Sequence, residues 1–255
     1  MASALTLLGL PNSNVSLVGT LLSFLLFLAV MPRWAERRWQ RKQCWVVLGI
    51  LPSDRQAWKV PVVALLRGLV MAAGLLGLLA RPILIYGWGT WRGEWNLTTT
   101  LNALSLCFGV GIAEEIIFRG WLWKELQKLN SRVSAVVGQA LLFSVVHTRF
   151  NLGVMPMLGL LTGLFLLGIT LAIQRNCDHG SLWGSIGIHG GLVGGWFLLT
   201  NGLLDLSEAP ALLVGYPVEQ PNPLSGLISI TALTLLLIWQ GSSIQRSSQP
   251  GRWST

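Results

Sequence analysis

Apolar runs on the scale of the roughly 17–25 residues that cross a bilayer as helix recur about seven times in this 255-residue chain. They lie near 13–32, 60–80, 100–123, 133–149, 153–174, 182–203 and 224–240. That recurrence predicts an all-α, polytopic transmembrane helical bundle of about seven spans. The charge content agrees: 11% of residues are charged, where a soluble domain carries about a quarter. The 29 glycines are scattered through the apolar runs, where small residues let membrane helices approach closely. Without an evident linker or internal repeat, the chain reads as one helical core over 60–240. An N-terminal membrane anchor helix and basic cytoplasmic segment (1–59) precedes it, and a short polar tail (241–255) follows.

The formal net charge of +8 is distributed against a nucleic-acid partner. Most of the excess falls in "RWAERRWQRK" (33–42), directly after an apolar run, the pattern of a cytoplasmic segment facing anionic lipid. The expected partners are therefore membrane lipid and no nucleic acid. Residues 1–32 carry no charge and no small-residue cleavage site follows them, so the first span is expected to remain as an anchor. An amino terminus outside puts Arg33, Arg37, Arg38, Arg41, Lys42, Arg55, Lys59, Lys124, Lys128, Arg132, Arg175, Arg246 and Arg252 on inner segments. Only Arg81, Arg92 and Arg149 then fall on outer ones. This asymmetry predicts a cytoplasmic carboxyl terminus. The acidic stretch "LDLSEAPALLVGYPVEQPNP" becomes an outer loop. Cys44, Cys107 and Cys177 have neither disulfide-framework nor metal-pair spacing and are expected as packing or lipid-facing thiols.

Against this background "GIAEEIIFRGW" (111–121) is anomalous, with Glu114, Glu115 and Arg119 in an apolar run. Three charges at mid-span oppose insertion by about 7–10 kcal/mol before pairing, so they must face one another or a wet cavity. Glu115 and Arg119 stand four residues apart with the acid on the N-terminal side, the favourable order for a helical ion pair. Glu114 projects about 100° away without a local partner, which leaves it available as a general base. Arg67 is the other cation inside an expected span. His147, in "FSVVHTRFN", and His189, in "GSIGIHGGLVGGW", also lie within expected spans, and His179 lies in a short polar loop. Helical rise places Glu114 and His147 roughly 7 Å apart along antiparallel axes, a gap that helix tilt can close. Two histidines and a carboxylate in one small bundle suggest a site.

These residues resemble a known family. "EEIIFR" is similar to the EExxxR motif of the CPBP intramembrane proteases, which include CAAX prenyl endopeptidases and Abi-type bacteriocin-processing proteins. Phe143 and His147 in "FSVVH" match the family's FxxxH. The third motif, a His followed four residues later by Asn or Asp, is met by His189 but has Val193 at its second position. The resemblance implies that Glu114 activates a water, that His147 orients it, and that His189 acts near the developing oxyanion. Glu115 and Arg119 would be the supporting ion pair. It further implies a membrane-embedded or lipid-modified polypeptide substrate. A divalent metal such as zinc, held by Glu114, His147 and His189, is compatible with three ligands and an open position, and a metal-free activated water fits the same residues.

Two other readings use the same cluster. A non-catalytic membrane scaffold or immunity protein on this fold would keep the charges as a structural knot, and Val193 favours it. A small proton-coupled transporter would use Glu114 and the histidines as a relay, but the sequence lacks the inverted repeats and interrupted helices of that class.

Overall fold

The computed structural model describes residues 12–129, 131–217 and 221–247. Glu219 of the acidic loop and the end of the expected tail, with Arg252, lie outside the described residues. The chain divides into two compact units, Met1–Val47 and Leu48–Thr255. In the first, α1 (Asn12–Trp39) carries the basic segment at its C-terminal end, with Arg37 and Arg38 in the last turn. There cations complement the helix dipole. The short helix α2 (Cys44–Leu48) follows.

The second unit is built from helices: α3 (Lys59–Ile85), α4 (Leu97–Glu115), α5 (Trp123–Leu129), α6 (Arg132–Val145), α7 (Val154–Cys177), α8 (Trp183–Leu198), α9 (Ala211–Val214) and α10 (Leu227–Ser247). Two wider π-helical segments, Ile116–Leu122 and Leu199–Leu203, extend α4 and α8. Neither interruption was expected from the residue types. Two-residue strands β1 (Thr90–Trp91) and β2 (Leu204–Asp205) pair antiparallel, with Thr90 opposite Asp205. Helix starts follow local chemistry. Asn96 caps α4 by accepting from the Thr99 amide at 2.7 Å, and Ser131 caps α6 by accepting from the Ser134 amide at 3.2 Å.

The all-α bundle is as expected, and the differences lie in helix lengths. Among the described residues, four stretches are long and apolar enough to cross a membrane: Val18–Trp39, Lys59–Ile85, Leu97–Leu129 and Val154–Cys177. The expected span at 133–149 is instead a 14-residue helix ending at Val145. His147 consequently sits in the turn that follows, not within a span. Asn151 and Gly153, with little helix preference, lie between this turn and the start of α7 at Val154.

Helix α8 lies between α3 and α4, and its glycines make that possible. Gly187 abuts Leu65 and Gly68 on one side, while Gly190 abuts Cys107 on the other. A methyl group at Gly190 would overlap the Cys107 backbone. Gly190→Ala is therefore expected to destabilise the purified protein by about 1–3 kcal/mol in an unfolding titration. Gly74→Ala on α3 meets open space and is the control, expected to be neutral or slightly stabilising. Phe143, Leu160, Leu164, Leu167, Leu171, Ile188 and Leu233 form a core cluster, joining α6, α7, α8 and α10.

Candidate active site

Glu114 and Glu115 end α4, and the backbone then widens into the π-helical segment that carries Arg119. Such segments recur at functional sites because the extra residue per turn re-aims side chains. The expected ion pair is present: Arg119 Nη1 donates to Glu115 Oε1 at 2.9 Å, and both side chains are fully buried. The Arg119 guanidinium also lies 4.1 Å from the centre of the Phe143 ring. That contact places the cation on the aromatic face where the ring quadrupole attracts it.

The structure brings Glu114, His147 and His189 together. Glu114 Oε2 stands 3.6 Å from His147 Nε2 and 3.7 Å from His189 Nε2. Each imidazole is fixed through its other nitrogen. His147 Nδ1 lies 2.6 Å from the Phe143 carbonyl and His189 Nδ1 lies 2.9 Å from Glu115 Oε1. A carbonyl and a carboxylate only accept hydrogen bonds, so both Nδ1 atoms are assigned the proton. Both Nε2 atoms then turn towards Glu114. The FxxxH spacing has a direct purpose here: Phe143 supplies the carbonyl that orients His147 one turn on. Its ring also packs against both imidazoles, with centroids 4.8 Å from His147 and 5.6 Å from His189.

All three groups line one cavity of about 1010 Å³. Its walls are mostly apolar, with Leu75, Leu106, Leu167 and Trp196 among them, and Val193 faces it too. Arg92 and Asp205, 113 residues apart, form an ion pair at its lining. The Ser207 amide and Arg92 together hold the Asp205 carboxyl down at about 2, so this pair stays ionised at any ordinary pH. The β1–β2 pairing brings the two residues together, and nothing in their local sequences signals it. Asn201 lines the same cavity, with its amide donating to the Phe197 carbonyl at 3.0 Å.

Arg67, half exposed, pairs with the fully buried Asp178, which also accepts from Gln174 Nε2 at 3.0 Å. His179 stands in a turn with φ 54. All three cysteines are free thiols: Cys44 and Cys107 are buried and Cys177 is exposed. Among the described residues no three His, Cys, Asp or Glu side chains are grouped so as to hold a metal ion.

Residues 95–194 match the family described as type II CAAX prenyl endopeptidase Rce1-like. This segment belongs to the CAAX-type intramembrane protease family. A second match, to a domain of unknown function, covers residues 1–43. Comparisons with curated proteins and with solved structures found no match. The CAAX-protease segment contains Glu114, Glu115, Arg119, Phe143, His147 and His189, along with Val193. The β2 strand and α10, which complete the cavity, follow it in the chain. Together with its long apolar helices, this match over residues 95–194 makes the chain an integral membrane protein.

Proposed function

We propose that the chain is an intramembrane endopeptidase that cleaves membrane-associated or lipid-modified polypeptides with a water activated by Glu114. The observation that carries this reading is the convergence of Glu114 Oε2 and two imidazole Nε2 atoms on the wall of an apolar cavity. Contacts of 3.6 and 3.7 Å are too long for direct hydrogen bonds, so the carboxylate and the two imidazoles face one another unbonded. Glu114 Oε2 also has no hydrogen-bond partner among the described residues.

Glu114 takes a proton from that water as its oxygen bonds to the scissile carbonyl carbon. Three acceptors around one water need one further proton, and an imidazole carrying it at Nε2 donates to the developing oxyanion. Collapse of the tetrahedral adduct breaks the C–N bond, and Glu114 returns its proton to the departing amine. His147 orients the water and His189 faces the oxyanion, with Glu115 and Arg119 holding the His189 ring. The apolar walls keep other water out, which strengthens each electrostatic contact.

The test is to incubate the purified protein in lipid nanodiscs with a panel of single-span and carboxyl-terminally lipidated peptides, in water enriched in oxygen-18. A new carboxyl terminus carrying the heavy oxygen is expected. Cleavage of none of the panel refutes the reading.

Val193 supports the second reading, a scaffold that binds membrane polypeptides without cutting them. It puts an apolar side chain on the cavity wall at the third motif's amide or acid position. Val193→Asn adds a donor there. Because one oxyanion donor is worth about 10²–10³ in rate, cleavage by this variant is expected to equal or exceed wild type. A fall in kcat would remove His189 from the oxyanion side.

A further inference from the structure

Arg175 is the buried cation that this chemistry does not use. It lies in the last turn of α7 and is 4% exposed, although its place beside a polar loop reads as a topology-setting surface charge. Its guanidinium donates to backbone carbonyls of three separate segments. Nε reaches Gly180 at 3.1 Å, Nη2 reaches Leu48 at 3.1 Å, and Nη1 bonds Arg119. The Trp123 ring lies against it, 5.1 Å from centroid to guanidinium carbon. A planar fork with five donors suits such divergent acceptors, whereas an ammonium is a point donor.

The Arg119 carbonyl is the informative acceptor. It belongs to the π-helical segment whose side chain, through Glu115 Oε1, fixes the Nδ1 of His189. Backbone and side chain of Arg119 are thereby held at opposite ends, by Arg175 and Glu115. We propose that Arg175 is a positioning residue. It pins the Ile116–Leu122 segment so that the Arg119–Glu115–His189 chain holds His189 Nε2 on Glu114. This role rests on the peptidase reading for its effect on rate, though not for its effect on His189.

The test uses the full-length protein in detergent with nitrogen-15 histidine. Imidazole spectra of its three histidines are assigned by single replacement. In Arg175→Gln, His189 is expected to lose its fixed Nδ1–H tautomer and show averaged ring nitrogens. His147 and His179 should keep their wild-type spectra. Arg175→Lys is expected to fall between, because one ammonium cannot reach all three carbonyls. Where cleavage is observed, kcat should fall by about 10² in Arg175→Gln, the scale of a 1 Å misplacement, with KM little changed.

A folded Arg175→Gln protein with wild-type His189 nitrogens, whatever its melting temperature, overturns the proposal and leaves Arg175 as a packing staple. If Arg175→Gln does not fold, Arg175→Lys decides: an unchanged His189 spectrum there overturns it equally. Altered His189 nitrogens in a protein that cleaves nothing uphold the positioning role and refute only the peptidase reading.

Discussion

Glu114→Gln is expected to lower kcat for peptide cleavage by about 10²–10⁴, the range for loss of a general base, with KM nearly unchanged. Glutamine has the same shape and keeps a carbonyl oxygen towards the two Nε2 atoms, yet it cannot take a proton from water. Among the described residues no salt bridge ties the side chain to its own helix, so the variant should unfold within about 1 kcal/mol of wild type. The measurement is single-turnover cleavage alongside a denaturation curve. Retained cleavage would falsify the mechanism, and equal loss of activity and stability would mark Glu114 as a structural group.

Glu115→Leu should behave in the opposite way. It leaves the fully buried Arg119 without its counter-charge, and breaking such a pair from one side costs about 3–5 kcal/mol. Loss of the Glu115 carboxylate also releases His189 Nδ1, so activity falls together with stability. The double change Glu115→Leu with Arg119→Met removes both charges and is expected to recover much of the stability, because apolar replacements of buried pairs are often neutral. Activity should not recover, since His189 still lacks its acceptor. Thermal unfolding and cleavage rates of the four proteins in this cycle separate the two roles. Recovery of cleavage in the double variant would mean that Glu115 serves the fold alone.

The contrasting placements of these adjacent glutamates were legible in the sequence because a helix fixes angles. Residues four apart share a face and neighbours do not, so Glu115 with Arg119 and Glu114 alone followed from spacing. The two histidines were also identifiable, as polar groups that lipid would otherwise exclude. Their partners were not. That His189 Nδ1 meets Glu115 while Nε2 meets Glu114 depends on how α8 packs against α4. That approach is set by Gly190 against Cys107.

Periodicity misjudged the end of α6. Apolar character continues through Val146, but the helix stops at Val145, because hydropathy does not record where backbone hydrogen bonding changes. The resulting turn puts His147 level with Glu114 and closes the axial gap that straight helices left. The π-helical segment at Ile116–Leu122 was equally silent, since residue types do not encode a wider turn.

By itself, then, the sequence determined the medium, the helical class and the buried charges, because each follows from local composition and the fixed pitch of a helix. Tertiary structure decided what those charges meet. Arg92 finds Asp205 across 113 residues, and Arg67 finds Asp178. Arg175 shows the difference most clearly. As a letter at the end of an apolar run it is a topology charge, and in the fold it is buried with its fork on three carbonyls. Burial and donor geometry depend on which distant segments pack together, and no local pattern encodes that.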